Sequence, residues 1–236
     1  MKKITLISLI TIVFIGNLVS QTPSASDIKK PAFVCGTSMV SDINSNTYKT
    51  VKIGTQCWMQ SNLKVSKYRN GDVIPTGLSD NDWAFAKSGA YAIYDNNNSN
   101  NVIYGKLYNM PAMRDGRGLC PIGWHVPSDN EWTILTNYLG GEEVAGGKMK
   151  STGTAYWNSP NRGATNKSGF SVLPAGYRDS RGRFKHIKEN AVFWSSTEFT
   201  ADNVWTHNLY ASFVGSYKHY YGNRTYSASV RCLRDY

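Results

Sequence analysis

From Phe33 onward, apolar and polar residues alternate over short runs, broken every few positions by Gly, Asn, Ser or Asp. A period of two over four to eight residues marks short, half-buried strands. Residues 47–53 follow it most plainly, and residues 33–40 and 57–59 are extended candidates beside them. With Gly54-Thr55 turning the chain, these runs predict a hairpin whose ends carry Cys35 and Cys57, close enough to bridge. Residues 43–46 and Asn70-Gly71 are turn clusters. Strands are expected again at residues 90–94, 102–108, 170–173, 192–195, 204–210, 213–220 and 229–233. Between the first two of these, residues 95–101 read D-N-N-N-S-N-N, a solvated hairpin loop. Its side-chain oxygens suit calcium, but a single carboxylate is a poor ligand set.

The period changes at Ser128. Ser128-x-x-Glu131 is a capping box, in which hydroxyl and carboxylate each satisfy a free N–H of the first turn. Trp132, Leu135 and Leu139 then recur at helical spacing and should face the core. Gly140-Gly141 stops that helix. A weaker helix is expected over residues 142–149, despite Gly146-Gly147, and Ser79-Asp80 can cap a short one reaching about Ala86. Together this is an α+β domain of short twisted sheets with one or two main helices.

Residues 1–20 change the picture of compartment. Lys2 and Lys3 precede a mostly apolar run, residues 4–18, and Val19-Ser20-Gln21 offers a small residue for cleavage. The run is short and interrupted by Ser8, Thr11 and Asn17, so a cleaved secretory signal fits better than a membrane span. No later segment is apolar enough to span a bilayer. Residues 21–32 are polar with Pro23 and Pro31, and read as a flexible leader. No Pro/Ser linker divides residues 33–236, which are read as one domain.

The formal charge of +10 loses two lysines and no acid with residues 1–20, leaving +8. The basic residues are scattered and no nucleic-acid motif is present, so nucleic acid is not an expected partner. An exported chain in the periplasm, on the cell surface or in the medium meets glycans, wall polymers and proteins instead. All four cysteines, Cys35, Cys57, Cys120 and Cys232, lie in the exported part. In an oxidising compartment they read as two disulfides, with three connectivities open. We favour Cys35–Cys57, pinning the local hairpin, and Cys120–Cys232, closing a long loop. The absence of C-x-x-C argues against a zinc or redox site.

Catalytic chemistry has little to stand on. The four histidines, His125, His186, His207 and His219, fall in no metal or nucleophile motif, and no phosphate-binding loop is present. A paired-carboxylate hydrolase would have to draw on Asp179, Glu198 or Asp202. No metal or cofactor is predicted. The run Cys120 to Trp132, C-P-I-G-W-H-V-P-S-D-N-E-W, mixes catalytic residue types, yet each has a structural task. Cys120 is a staple, Pro127 a stop, Ser128 and Glu131 a cap, and Trp132 a core anchor.

Several ordered motifs carry a resemblance. V-K-I-G-T-Q-C-W-M-Q-S-N-L from Val51, Y-G-K-L-Y-N from Tyr104 and the Cys120–Trp132 run are three. G-F-S-V-L-P-A-G-Y-R from Gly169, F-W-S-S-T from Phe193 and the closing V-R-C-L-R-D complete the set. Over residues 33–235 the chain resembles the Fibrobacter succinogenes major paralogous domain. That likeness implies a secreted or surface protein of bacteria such as the Bacteroidetes and Fibrobacteres, and it implies no settled activity. More distantly, residues 125–132, 176–179, 194–196 and 230–232 are similar to the formylglycine-generating enzyme, a variant of the C-type lectin fold. Such a fold sets the terminal strands side by side, which a Cys120–Cys232 staple would suit.

The copper-binding cysteine pair of those enzymes has no counterpart in residues 216–226, and soft thiolates are what select Cu(I). Calcium-dependent lectin motifs are also missing, since Trp157-Asn158-Ser159 departs at its third position. The resemblance therefore implies a C-type lectin-like scaffold whose loops carry recognition. With 15 Tyr and 7 Trp, the chain is well supplied with side chains that stack on sugar rings. Trp157, Tyr177, Tyr217, His219, Tyr221 and Arg224 are the candidate ligand-binding residues. The expected function is a non-catalytic binding or structural module, with an extracellular glycan or surface protein as partner. The alternatives are an assembly subunit without a small ligand, a hydrolase, or an enzyme of the formylglycine-generating type that has lost its copper ligands.

Overall fold

The computed structural model describes residues 32–221 and 224–235, and of Tyr221 the backbone alone. The expected signal and nearly all of the leader lie outside these residues. Val34–Tyr236 forms one compact unit. Strands β1 (Val40–Ser41) and β2 (Thr47–Tyr48) pair, and β3 (Thr50–Ile53) and β4 (Gln56–Met59) form the expected hairpin. Helix α1 (Asp80–Ala84), β5 (Tyr91–Ala92), α2 (Asn98–Tyr104), β6 (Leu107–Asn109) and α3 (Met110–Arg114) follow. Next come β7 (Trp124–His125), α4 (Asp129–Tyr138), α5 (Glu142–Met149), β8 (Tyr177–Arg178) and β9 (Phe184–Lys185). The chain closes with β10 (Asn190–Thr200), β11 (Asn203–Tyr210), β12 (Ser216–Tyr221), β13 (Ser227–Ser229) and β14 (Leu233–Arg234). The domain is mixed α+β, mostly sheet, with two disulfides.

An eight-stranded sheet runs β12-β11-β10-β13-β6-β5, with β8 and β9 branching from β13. A four-stranded sheet runs β3-β4-β14-β7, so the terminal strand lies between the first hairpin and β7. The disulfides are Cys35–Cys57 and Cys120–Cys232, the favoured pairing. The second ties the approach to β7 to the residue before β14, where Leu233 pairs with His125.

Helix α4 forms as its cap demands. Ser128 Oγ accepts from Glu131 N at 3.3 Å, and Glu131 Oε2 accepts from Ser128 N at 2.7 Å. Trp132 then lies at the centre of the core. Its ring is 4.8 Å from Trp58, 5.4 Å from Phe193 and 6.0 Å from Phe170, between centroids. This cluster packs α4 against both sheets.

Several expected strands take another form. Residues 33–40 turn instead of extending: Val34 O accepts from Thr37 N and Ser38 N, with Gly36 at φ 91°, so only Val40–Ser41 pairs. Residues 95–104 are not a loop and strand. Asn97 caps a helix by accepting from Ser99 N at 3.0 Å, and a side-chain cap offers the backbone an alternative to the ladder. Residues 170–173 make one bridge, Val172 to Lys150. Phe213 belongs to the turn before β12, and residues 229–233 divide between two sheets. Alternation cannot reveal such a sheet change, since both halves keep the same period.

His125 closes β7 onto the chain end. Its Nε2 lies 2.9 Å from Glu131 Oε1 and its Nδ1 2.6 Å from Asp235 Oδ1. Those carboxylates, Glu131 first, hold its pKa above the ordinary imidazole value despite burial. A raised folded pKa stabilises the fold fully below the unfolded value, about 6.5, and the gain is lost as pH rises through the folded value. The urea-midpoint difference between wild type and His125→Gln should therefore shrink as pH is raised from below about 6.5 into the alkaline range. A difference constant across that range would show that the imidazole contributes packing alone.

Candidate functional site

The far end of β10, β11 and β12 carries a cluster of partly exposed aromatic rings. Strand β11 pairs with β12 so that Trp205 faces Tyr220 and His207 faces Lys218. Alternate residues point to opposite faces, so Trp205, His207, Lys218 and Tyr220 share one face. Register shifts in β10 between Trp194 and Thr200 mark a bulged end. There Phe199 stacks on Tyr220 at 4.5 Å and meets Trp205 edge-on at 4.7 Å. Phe199 is 45% and Tyr220 56% exposed, and Trp205 is half-buried.

Charged groups brace this patch against α4. The Lys218 ammonium sits 3.7 Å from the Trp205 ring centroid and 2.6 Å from Asp129 Oδ2. Asp129 Oδ1 lies 3.2 Å from His207 Nε2, and Thr197 Oγ1 accepts from Asp129 N at 2.9 Å. Burial works against the Asp129 charge, but His207 and Lys218 outweigh it and hold the pKa below the usual carboxylate value. His207 itself is fully buried and stacked on Trp132 at 5.0 Å. Burial lowers its pKa, so this histidine is a neutral packing group facing a carboxylate. Asp129 also stands in the first turn of α4, where a negative charge suits the helix dipole.

The opposite face of the same strands holds Tyr217 and His219, which pair with Asn208 and Thr206. Tyr210 adjoins both, at 6.3 Å from each ring, and Phe213 lies 6.1 Å from Tyr217. Tyr221 takes the next position on that face by register, and its side chain lies outside the described residues. The remaining candidates lie elsewhere. Tyr177 is half-buried between Tyr226, at 4.7 Å, and His186, at 5.6 Å. Arg224 is exposed and pairs with Asp202 at 3.0 Å.

Trp157 corrects the sequence reading. It is not a surface residue: it is wholly buried, and its Nε1 donates to Val172 O at 3.0 Å. Lys150 explains why. Its buried ammonium donates to Arg162 O, Tyr210 O and Phe213 O at 2.8–2.9 Å and lies 5.4 Å from the Trp157 ring centroid. The loop carrying Trp157 is thus folded inward over the core.

Each of the three carboxylates considered for hydrolysis is engaged by an arginine. Asp179 is held by Arg183, Glu198 by Arg114 and Asp202 by Arg224. Among the described residues no three His, Cys, Asp or Glu side chains are grouped to hold a metal. Phe199, Trp205, Lys218 and Tyr220 were not singled out by sequence. For Trp205, Lys218 and Tyr220 the sequence signal is the alternation in N-V-W-T-H-N-L-Y and S-Y-K-H-Y-Y, which sorts side chains to two faces without saying which rings meet.

Fold and site together define a disulfide-stapled α+β domain with an aromatic surface at the end of its larger sheet. Residues 51–234 match the Fibrobacter succinogenes major domain, and the chain belongs to that family. Neither the curated proteins nor the solved structures show a match.

Proposed function

We propose that this chain is an exported, non-catalytic module that binds an extracellular polymer, a glycan in the first place, through Phe199, Trp205 and Tyr220. The observation that carries the reading is the contiguity of these three rings on one partly exposed face. Aromatic faces stack on sugar rings, and the Lys218–Asp129 pair adds polar groups at the margin. The two disulfides support export, as does the basic and apolar start of the chain. With every cysteine in a disulfide, no thiolate pair is left for copper. The pairing of β14 with β4 and β7 supports a C-type lectin-like scaffold.

An assembly subunit is the second reading, because β12 is a six-residue edge strand of the larger sheet. One experiment separates the two. Retention of the mature protein on a panel of glycans and wall polymers is compared with that of a Phe199→Ala, Tyr220→Ala variant. Each stacked ring contributes roughly 0.5–1.5 kcal/mol, so the variant should bind about tenfold more weakly. Retention unchanged by the substitutions would reject the patch as the binding surface. Retention on nothing, with self-association abolished by the same variant, would establish assembly.

A further inference from the structure

A second site lies apart in composition from the aromatic patch and does not depend on it. A cleft of about 450 Å³ opens between the residues after β4, helix α2 and the segment following α5. Its lining includes Lys49, Gln60, Asn62, Ser151, Tyr156 and Arg231, and no lining residue is acidic. Arg231 is the unusual member. It is 1% exposed, yet no carboxylate pairs with it among the described residues. Nη1 donates to Phe170 O and Nη2 to Asn62 Oδ1 at 2.8 Å, while Nε finds no acceptor among the described residues.

The rings of Phe170 and Phe193, 4.4 and 5.3 Å from the guanidinium carbon, offset only part of the cost of a buried cation. Burial pulls its pKa down, with nothing opposing. Ser151 adds a second unmet group, since its buried Oγ has no partner among the described residues. At the mouth stand the exposed cation Lys49 and Tyr156, which is 41% exposed.

We propose that this cleft binds an acidic sugar residue, its carboxylate drawn to Arg231 and Lys49, its ring against Tyr156, and its hydroxyls on Ser151, Gln60 and Asn62. A carboxylate meets the buried charge where little water screens it. The neutral amides and hydroxyls exceed what a bare anion needs, and they suit a polyhydroxylated ring. The volume lies in the usual range for small-ligand clefts.

The test titrates the full mature chain with galacturonate, galactose and acetate, following backbone amide shifts by NMR. Galacturonate should saturate, with perturbations around the cleft, and bind at least tenfold tighter than either galactose or acetate. Lys49→Gln and Tyr156→Ala, both at exposed positions, should each weaken it several-fold, and Ser151→Ala likewise. The Phe199→Ala, Tyr220→Ala variant should bind galacturonate as wild type does, which separates this site from the polymer-binding patch. Equal affinity for galactose would remove the role of the charge, and equal affinity for acetate would remove the sugar. Failure to saturate, or binding indifferent to all three cleft variants, would overturn the proposal.

Discussion

Replacing Cys120 and Cys232 together by alanine is expected to lower the unfolding free energy by about 4–5 kcal/mol in the chain-entropy account. The bond joins residues 112 apart and so closes a loop over more than half the domain. In the native state it holds β14 beside β7, where Leu233 and His125 pair, and thereby closes the four-stranded sheet. For a domain of this size the loss corresponds to a fall in Tm of about 10–15 °C. The other bond, Cys35–Cys57, spans 22 residues and pins a hairpin that also has its own ladder. Its removal should cost less, about 3 kcal/mol. Urea unfolding of the two double variants checks the order. A larger loss from the shorter loop would show that loop entropy is not the governing effect.

The second large effect is expected at Lys150. Replacing it by methionine keeps an unbranched stem but removes the ammonium that donates to Arg162 O, Tyr210 O and Phe213 O, of which Tyr210 O keeps a long bond from Phe213 N. Each buried carbonyl left without a donor costs about 1–3 kcal/mol. Relief of the ammonium's own desolvation offsets part of this, leaving a net loss of roughly 2–4 kcal/mol. The loop holding Trp157 and the turn before β12 should loosen together, because one ammonium pins both. Lys167→Met, at an exposed position, is the control and should stay within about 0.5 kcal/mol of wild type. A Lys150→Met midpoint equal to the control's would mean that the three carbonyls find other donors.

Legibility in the sequence followed the range of the interaction. The α4 cap lies within four residues, Ser128 to Glu131, and the structure shows both of its hydrogen bonds. The β3–β4 hairpin turns on Gly54, whose φ of 60° a β-carbon disfavours, and it too was plain from the chain. Helix α2 was missed because a run of asparagines offers turn and cap chemistry equally, and only packing of Tyr104 beneath the loop decides between them. The split of residues 229–233 between β13 and β14 was hidden for a similar reason. Each half pairs with strands more than 100 residues away, Ser229 with Leu107 and Leu233 with Trp58.

The candidate site was less legible still. Sequence pointed to Tyr217, His219 and Tyr221, which the ladder places on one face by register, and passed over Lys218 and Tyr220 on the other. Both faces carry aromatics, and composition cannot choose between them. Trp157 is a surface candidate in the sequence by its aromatic character alone, whereas Lys150 fastens its loop over the core. Arg231 enters the sequence reading only within the closing V-R-C-L-R-D motif. Its importance comes from having no carboxylate partner among the described residues, a property of the folded environment.

Residues alone therefore determined the α+β class, the capped helix, the first hairpin and the narrowing of three disulfide pairings to one favoured set. These rest on short-range rules of period, capping and turn geometry that hold wherever the segment ends up. The tertiary structure decided how the exposed aromatic rings cluster, that Trp157 is core, and that Lys150 and Arg231 lie buried with no carboxylate partner among the described residues. Those outcomes depend on what covers each position, and the covering residues come from distant parts of the chain.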